Sequence, residues 1–124
     1  MDNNKRGCLA EYRFAVECLK RGYDISMPLL DSSIYDCLVD VDGKIYKIQI
    51  KSTIKTPYKA SQSTVHIPIQ NNKTLYTKDN VDFFAIWVQY FDGFFIIKNS
   101  GNVQSIRLSK VGKYSKYFNN FAFE

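Results

Sequence analysis

Two apolar-rich runs, 34–41 and 44–52, are separated by Asp42-Gly43. An Asp-Gly pair between such runs selects a two-residue hairpin, because a type I′ turn needs positive φ at both centres. This unit constrains the chain more than any other, since it fixes a register. With Asp42 and Gly43 at the turn, Val41 faces Lys44 and Asp36 faces Gln49. Directly opposed residues share a face of the sheet, with Cβ atoms about 4.5–5.5 Å apart. Lys51 lies two positions beyond Gln49 and joins that face. Tyr46, Ile48 and Ile50 occupy the other face and read as core. Taken alone, the Asp36, Gln49 and Lys51 pattern also fits an ordinary half-exposed strand with a plain cross-strand pair.

Around the hairpin the pattern predicts a helix first and more sheet afterwards. Leu9, Tyr12, Val16 and Leu19 recur at helical spacing, with Ala10 and Ala15 among them, which predicts an amphipathic helix over 4–21. Asn3 or Asn4 can cap its start, and Gly22 stands where a glycine ends a helix. Residues 23–27 read as a short strand, 64–70 as another and 103–108 as a third. The run 81–91 is apolar on both faces, as in a central strand, and Asp92-Gly93 turns it into a partner at 94–98. The stretch 53–63 reads as a polar, basic surface loop, 71–73 as a turn, and 109–121 as a terminal helix. The expected architecture is α/β, a mixed sheet flanked by helices, in one domain over residues 1–124.

Composition excludes several classes. No apolar run approaches the ~20 residues that span a bilayer, so a membrane partner is not expected and the location expected is the cytoplasm. Cys8, Cys18 and Cys37 are three in number and sit among apolar neighbours, which predicts buried free thiols. One histidine, His66, and no Cys-x-x-Cys disfavour zinc. The net charge of +5 favours an anionic partner, nucleic acid before a membrane surface. Residues 94–124 carry five cations against one acid.

Tyr35-Asp36, the Asp-Gly turn and Gln49-Ile50-Lys51 together resemble the signature of the PD-(D/E)XK nuclease superfamily. Glu11 in the first helix resembles that family's upstream acid. The string 81–87 followed by 93–97 is similar to later strands of its small members, among them homing endonucleases of bacterial group I introns and Holliday-junction resolvases. The resemblance covers most of residues 4–98. Tyr35 departs from the usual proline, and Gln49 stands where Asp or Glu is usual. A glutamine carbonyl still serves a hard cation, but it brings no charge.

The resemblance implies a restriction-endonuclease-like fold and hydrolysis of phosphodiesters in double-stranded DNA, assisted by Mg²⁺ (or Mn²⁺). Asp36, Gln49, the carbonyl of Ile50 and Glu11 would hold the metal, and Lys51 would position the attacking water or act as base. Lys55, Tyr58, Lys59 and Gln62 of the basic loop, with His66, are the candidate DNA contacts. A site-specific homing enzyme is the first expectation, with a junction resolvase or a catalytically silent DNA-binding module as alternatives. One site cleaves one strand, so a double-strand break implies a homo-oligomer, dimer or tetramer. The aromatics from Tyr114 to Phe123 are its first candidate contact, unless they fold back on the sheet.

Overall fold

The computed structural model describes residues 1–30, 32–57, 63–70 and 75–124. Helix α1 (Asn3–Lys20) precedes β1 (Asp24–Ser26), β2 (Cys37–Val41) and β3 (Lys44–Thr53). Then come β4 (Val65–Pro68), β5 (Phe83–Val88), β6 (Gly93–Lys98) and β7 (Ser105–Leu108). Five strands form one mixed sheet in the order β1-β2-β3-β5-β6, parallel only between β3 and β5. Strands β4 and β7 pair antiparallel as a separate ribbon. Among the described residues no helix is long and apolar enough to cross a membrane.

The hairpin's turn and register form as expected, but its first strand runs only over Cys37–Val41, not 34–41. Asp42 and Gly43 take φ of 53° and 92°, and Val41 pairs with Lys44 through to Cys37 with Ile48. The Asp40 carboxylate accepts from Gly43 N at 2.7 Å, which fixes the turn.

Helix α1 closes through both of its expected signals, with one change of residue. Asp2 caps the start, its Oδ1 accepting from Lys5 N at 2.8 Å, while Asn3 already lies inside the first turn and accepts from Arg6. At the other end Gly22 takes φ 81°, with Tyr23 N donating to Cys18 O and Gly22 N to Leu19 O, both at 3.0 Å. That is a Schellman closure.

The buried face of α1 is not the expected one. Ala10, Phe14 and Cys18 are buried, whereas Tyr12, Val16 and Leu19 are more than half exposed. The physical reason is fit. Small side chains at 10 and 18 let the helix axis approach the sheet, and Phe14 fills the gap against Phe94 and Phe121, with ring centroids 5.7 and 5.9 Å away. These residues join Val39, Ile48, Ile50, Ala85, Trp87 and Ile96 in the helix-side core. On the opposite face, Phe84, Ile86, Val88, Phe95 and Ile97 are covered by Val65 and Ile67 of β4 and by Ile106 and Leu108 of β7. A ribbon, not a second helix, therefore covers that face.

Several boundaries shorten. The strand expected over 64–70 is β4 alone, and that over 81–91 is β5, whose six residues are all buried, followed by a 3-10 turn at Gln89–Phe91. The terminal helix does not form; only a 3-10 turn, Ser115–Tyr117, does. Asn119 adopts φ 51°, its N donates to Phe94 O, and its Oδ1 accepts from Phe94 N at 2.9 Å. The tail thus closes the free edge of β6, with Phe118 packed toward one face and Phe121 and Phe123 in the core of the other. These last two are almost fully buried and offer no contact to a second copy. Cys18 and Cys37 are buried as expected, but Cys8 is exposed.

Candidate active site

Strand β3 alternates as its sequence requires. Ile48 and Ile50 enter the helix-side core, so Gln49 and Lys51 face the other way. The ladder with β2 stops at Cys37 and Ile48, so Asp36 is not paired with Gln49 as expected. It is held one step further along β3. Asp36 N donates to Ile48 O at 2.8 Å, and Asp36 Oδ2 accepts from Ile50 N at 2.7 Å. This second bond substitutes a carboxylate for the missing strand partner. The N–H and C=O of a strand residue point to the same side. The Ile50 carbonyl therefore faces the side where β2 has ended, beside Asp36.

Glu11, one turn from Phe14 on α1, lines a cleft of about 490 Å³ with Asp36, Tyr35, Cys8 and Tyr12. Burial raises the pKa of Glu11, and the nearby Asp36 charge raises it further. Burial also raises the Asp36 pKa, against the opposing pull of the Ile50 N–H and of Lys51. Lys51 is shifted down by burial, with Asp36 opposing. Asp36, just ahead of β2, thus couples electrostatically to Glu11 of α1 and to Lys51 of β3.

Gln49 Oε1 is buried and has no hydrogen-bond partner among the described residues. Leaving such an oxygen unpaired costs about 1–3 kcal/mol, so an acceptor of this kind marks a place for a ligand. Asp36, the Gln49 amide oxygen, the Ile50 carbonyl and Glu11 are all hard oxygen donors, the set that suits Mg²⁺ or Mn²⁺. Among the described residues no three His, Cys, Asp or Glu side chains cluster. The donor set fits a divalent cation of low charge demand.

The DNA candidates divide. Lys55 is exposed beyond the end of β3, and its Nζ donates to His66 O at 3.3 Å. Val65 and Ile67 point into the core, so His66 points outward from the ribbon, directly opposite Arg107. Lys51 and Lys55 line a shallow groove with Ile67 and Pro68, which joins the ribbon to the site. Tyr58, Lys59 and Gln62 lie outside the described residues.

Sequence reasoning missed Tyr76. Its ring centroid lies 4.9 Å from Lys51 Nζ, and its own pKa is raised by burial and then by the Asp36 charge. A lone tyrosine in a polar stretch carries no periodic signal, so nothing in the sequence marked it.

A family model described as PD-(D/E)XK endonuclease matches residues 1–122. Among solved structures, the bacterial homing endonuclease I-Ssp6803I superposes with a TM-score of 0.77 at 20% identity, over 95% of this chain and 87% of that one. No curated protein sequence matches the chain.

Proposed function

The chain belongs to the PD-(D/E)XK endonuclease family, and from that membership we propose a divalent-metal-dependent endonuclease that hydrolyses phosphodiester bonds of double-stranded DNA. The observation that carries this reading is the buried Gln49 Oε1, unpaired among the described residues, on the same strand face as Lys51, with Asp36 locked to the Ile50 amide. Asp36, Gln49 and the Ile50 carbonyl would hold Mg²⁺ or Mn²⁺, and Glu11 would complete the set directly or through a water. A bound ion of this kind acidifies water and offsets charge that grows on the phosphate.

The protein's own groups do the rest. The Ile50 amide keeps the Asp36 carboxylate in one orientation. Burial lowers the pKa of Lys51 while the Asp36 charge opposes this, and its ammonium would orient the attacking water. The exposed cations Lys55 and Arg107, with His66, would meet backbone phosphates beside the groove that leads to Lys51. Likeness to a homing endonuclease supports site-specific cleavage as the finer reading, and a double-strand break would need two copies of the chain.

Incubation with a plasmid library and Mg²⁺, followed by sequencing of the cut ends, tests the proposal. Metal-dependent cuts at a recurrent sequence are expected, lost on chelation and in Lys51→Ala. Cleavage of four-way junctions regardless of sequence would make it a resolvase. Binding without cleavage under any divalent metal would leave a DNA-binding module.

A further inference from the structure

We infer that Tyr76 is a positioning residue for Lys51, its ring face fixing where the ammonium sits beside Asp36. The inference rests on the nuclease reading above. Among the described residues Lys51 forms no ion pair, yet its Nζ lies over the Tyr76 ring, 4.9 Å from the centroid. A lysine side chain is a flexible stem, and something must restrict it if its nitrogen is to serve one water. An aromatic face does so through charge and quadrupole alone. It consumes none of the three N–H donors, which stay available for water or phosphate. A carboxylate in the same place would occupy them.

The ring is itself held firmly. Tyr76 is 5% exposed and meets the Phe84 ring edge-on at 5.4 Å. Phe84 is the residue paired with Gln49 across β3 and β5, so the support reaches the metal-binding strand. The main chain of Tyr76 is clamped from both sides. Its N donates to Gln70 Oε1 at 2.9 Å, and its carbonyl accepts from Gln70 Nε2 at 3.1 Å and Asn99 Nδ2 at 3.4 Å. Asn99, itself buried, also donates to Thr77 O and Val81 O, each at 2.9 Å. Such a chain of amide bonds fixes a loop residue that no strand holds.

The test measures kcat and KM for cleavage by Tyr76→Phe, Tyr76→Leu and a series with mono-, di- and trifluorophenylalanine at position 76. Phenylalanine keeps the ring, so kcat should stay within about threefold of wild type. Leucine removes it, and kcat should fall roughly ten- to a hundredfold with KM unchanged. Fluorination drains the ring face with little change of volume, so kcat should fall stepwise along the series. This series decides the matter even if the leucine variant fails to fold. A flat fluorine series, a leucine variant with wild-type kcat, or a phenylalanine variant as slow as leucine would each overturn the inference. A wild-type protein that cleaves no DNA with any divalent metal overturns the nuclease reading and the inference with it. Cleavage lost in Lys51→Ala but indifferent to residue 76 overturns the inference alone.

Discussion

Asp36 combines two demands that conflict, since a desolvated carboxylate is costly and the charge it would bring to a cation is what the neutral Gln49 and Ile50 oxygens lack. Burial raises its pKa above the ordinary carboxylate value, and the Ile50 N–H and Lys51 only partly offset this. The sign of the linkage follows. A carboxyl whose folded pKa exceeds its unfolded one weakens the fold at pH above both, and that cost vanishes as pH falls through the folded value. Asp36→Asn keeps an oxygen for the Ile50 N–H and removes the charge. It should therefore melt at or above the wild-type temperature at pH 8, with the difference shrinking in acid, while cleavage falls about 10²–10³-fold. Thermal melts across pH, beside a cleavage assay, check both halves; a large loss of stability would make Asp36 a structural residue. The cysteines give a second residue-scale test. Burial pushes the Cys18 thiol up to about 12 and raises that of Cys37 as well, while Cys8 is exposed. At pH 8 the native protein should alkylate at Cys8 alone, and at all three positions once unfolded, as read by mass spectrometry.

Helix α1 shows how an element can be legible and its orientation not. Its stop signal and its length follow from sequence, because capping is local chemistry, while its start lies a residue earlier than expected, at Asp2. Its buried face does not, because hydrophobicity ranks Leu9, Tyr12, Val16 and Leu19 above Ala10 and Cys18, while close approach to a sheet rewards small residues. Phe14→Ala should cost about 3–5 kcal/mol, whereas Leu19→Ala, at a residue 58% exposed, should cost less than about 1 kcal/mol. Chemical denaturation of the two variants decides which face is core, and equal losses would contradict the packing described. The hairpin's turn and its register from Val41–Lys44 to Cys37–Ile48 were legible because Asp42-Gly43 specifies positive φ, but its first strand starts at Cys37 and not at residue 34. The register at Asp36 was legible to within one residue, since the ladder stops short of Asp36 and its side chain takes over. The tail was misread because its aromatics flank a β edge on two faces, and that spacing resembles a helical repeat when Asn119 is not known to be left-handed. Tyr76 was invisible because the β3–β5 crossover, not any local pattern, brings it to Lys51.

At the scale of the whole molecule, charge and assembly carry the remaining expectations. Lys55 and Arg107, with His66, gather on the outer side of the β4–β7 ribbon and the end of β3. If Lys55 and Arg107 each neutralise a phosphate, each adds about −0.9 to the slope of log affinity against log salt. Arg107→Ala should flatten that slope by about one, uniformly across DNA sequences, in titrations at several salt concentrations; an unchanged slope would remove the ribbon from the DNA interface. Assembly follows from counting sites. The chain presents one set of donors around Asp36, and one such set serves one strand at a time. Cleavage of both strands in one binding event then requires a second copy, related by a two-fold axis that a pseudo-palindromic target would mirror. Phe121 and Phe123 cannot supply the contact, because Phe121 is buried in the core and Phe123 stacks on Tyr46 at 5.3 Å and meets Phe83 edge-on at 5.3 Å, whereas Tyr114, Tyr117 and Phe118 are partly exposed. Phe123→Ala should accordingly lower the melting temperature and leave the oligomeric state of the folded protein as it was. Sedimentation equilibrium of the wild type should give a dimer or a larger even assembly, free or on DNA. A monomer in both conditions, with nicking as the sole activity, would show that the chain works on single strands and that no second copy is needed.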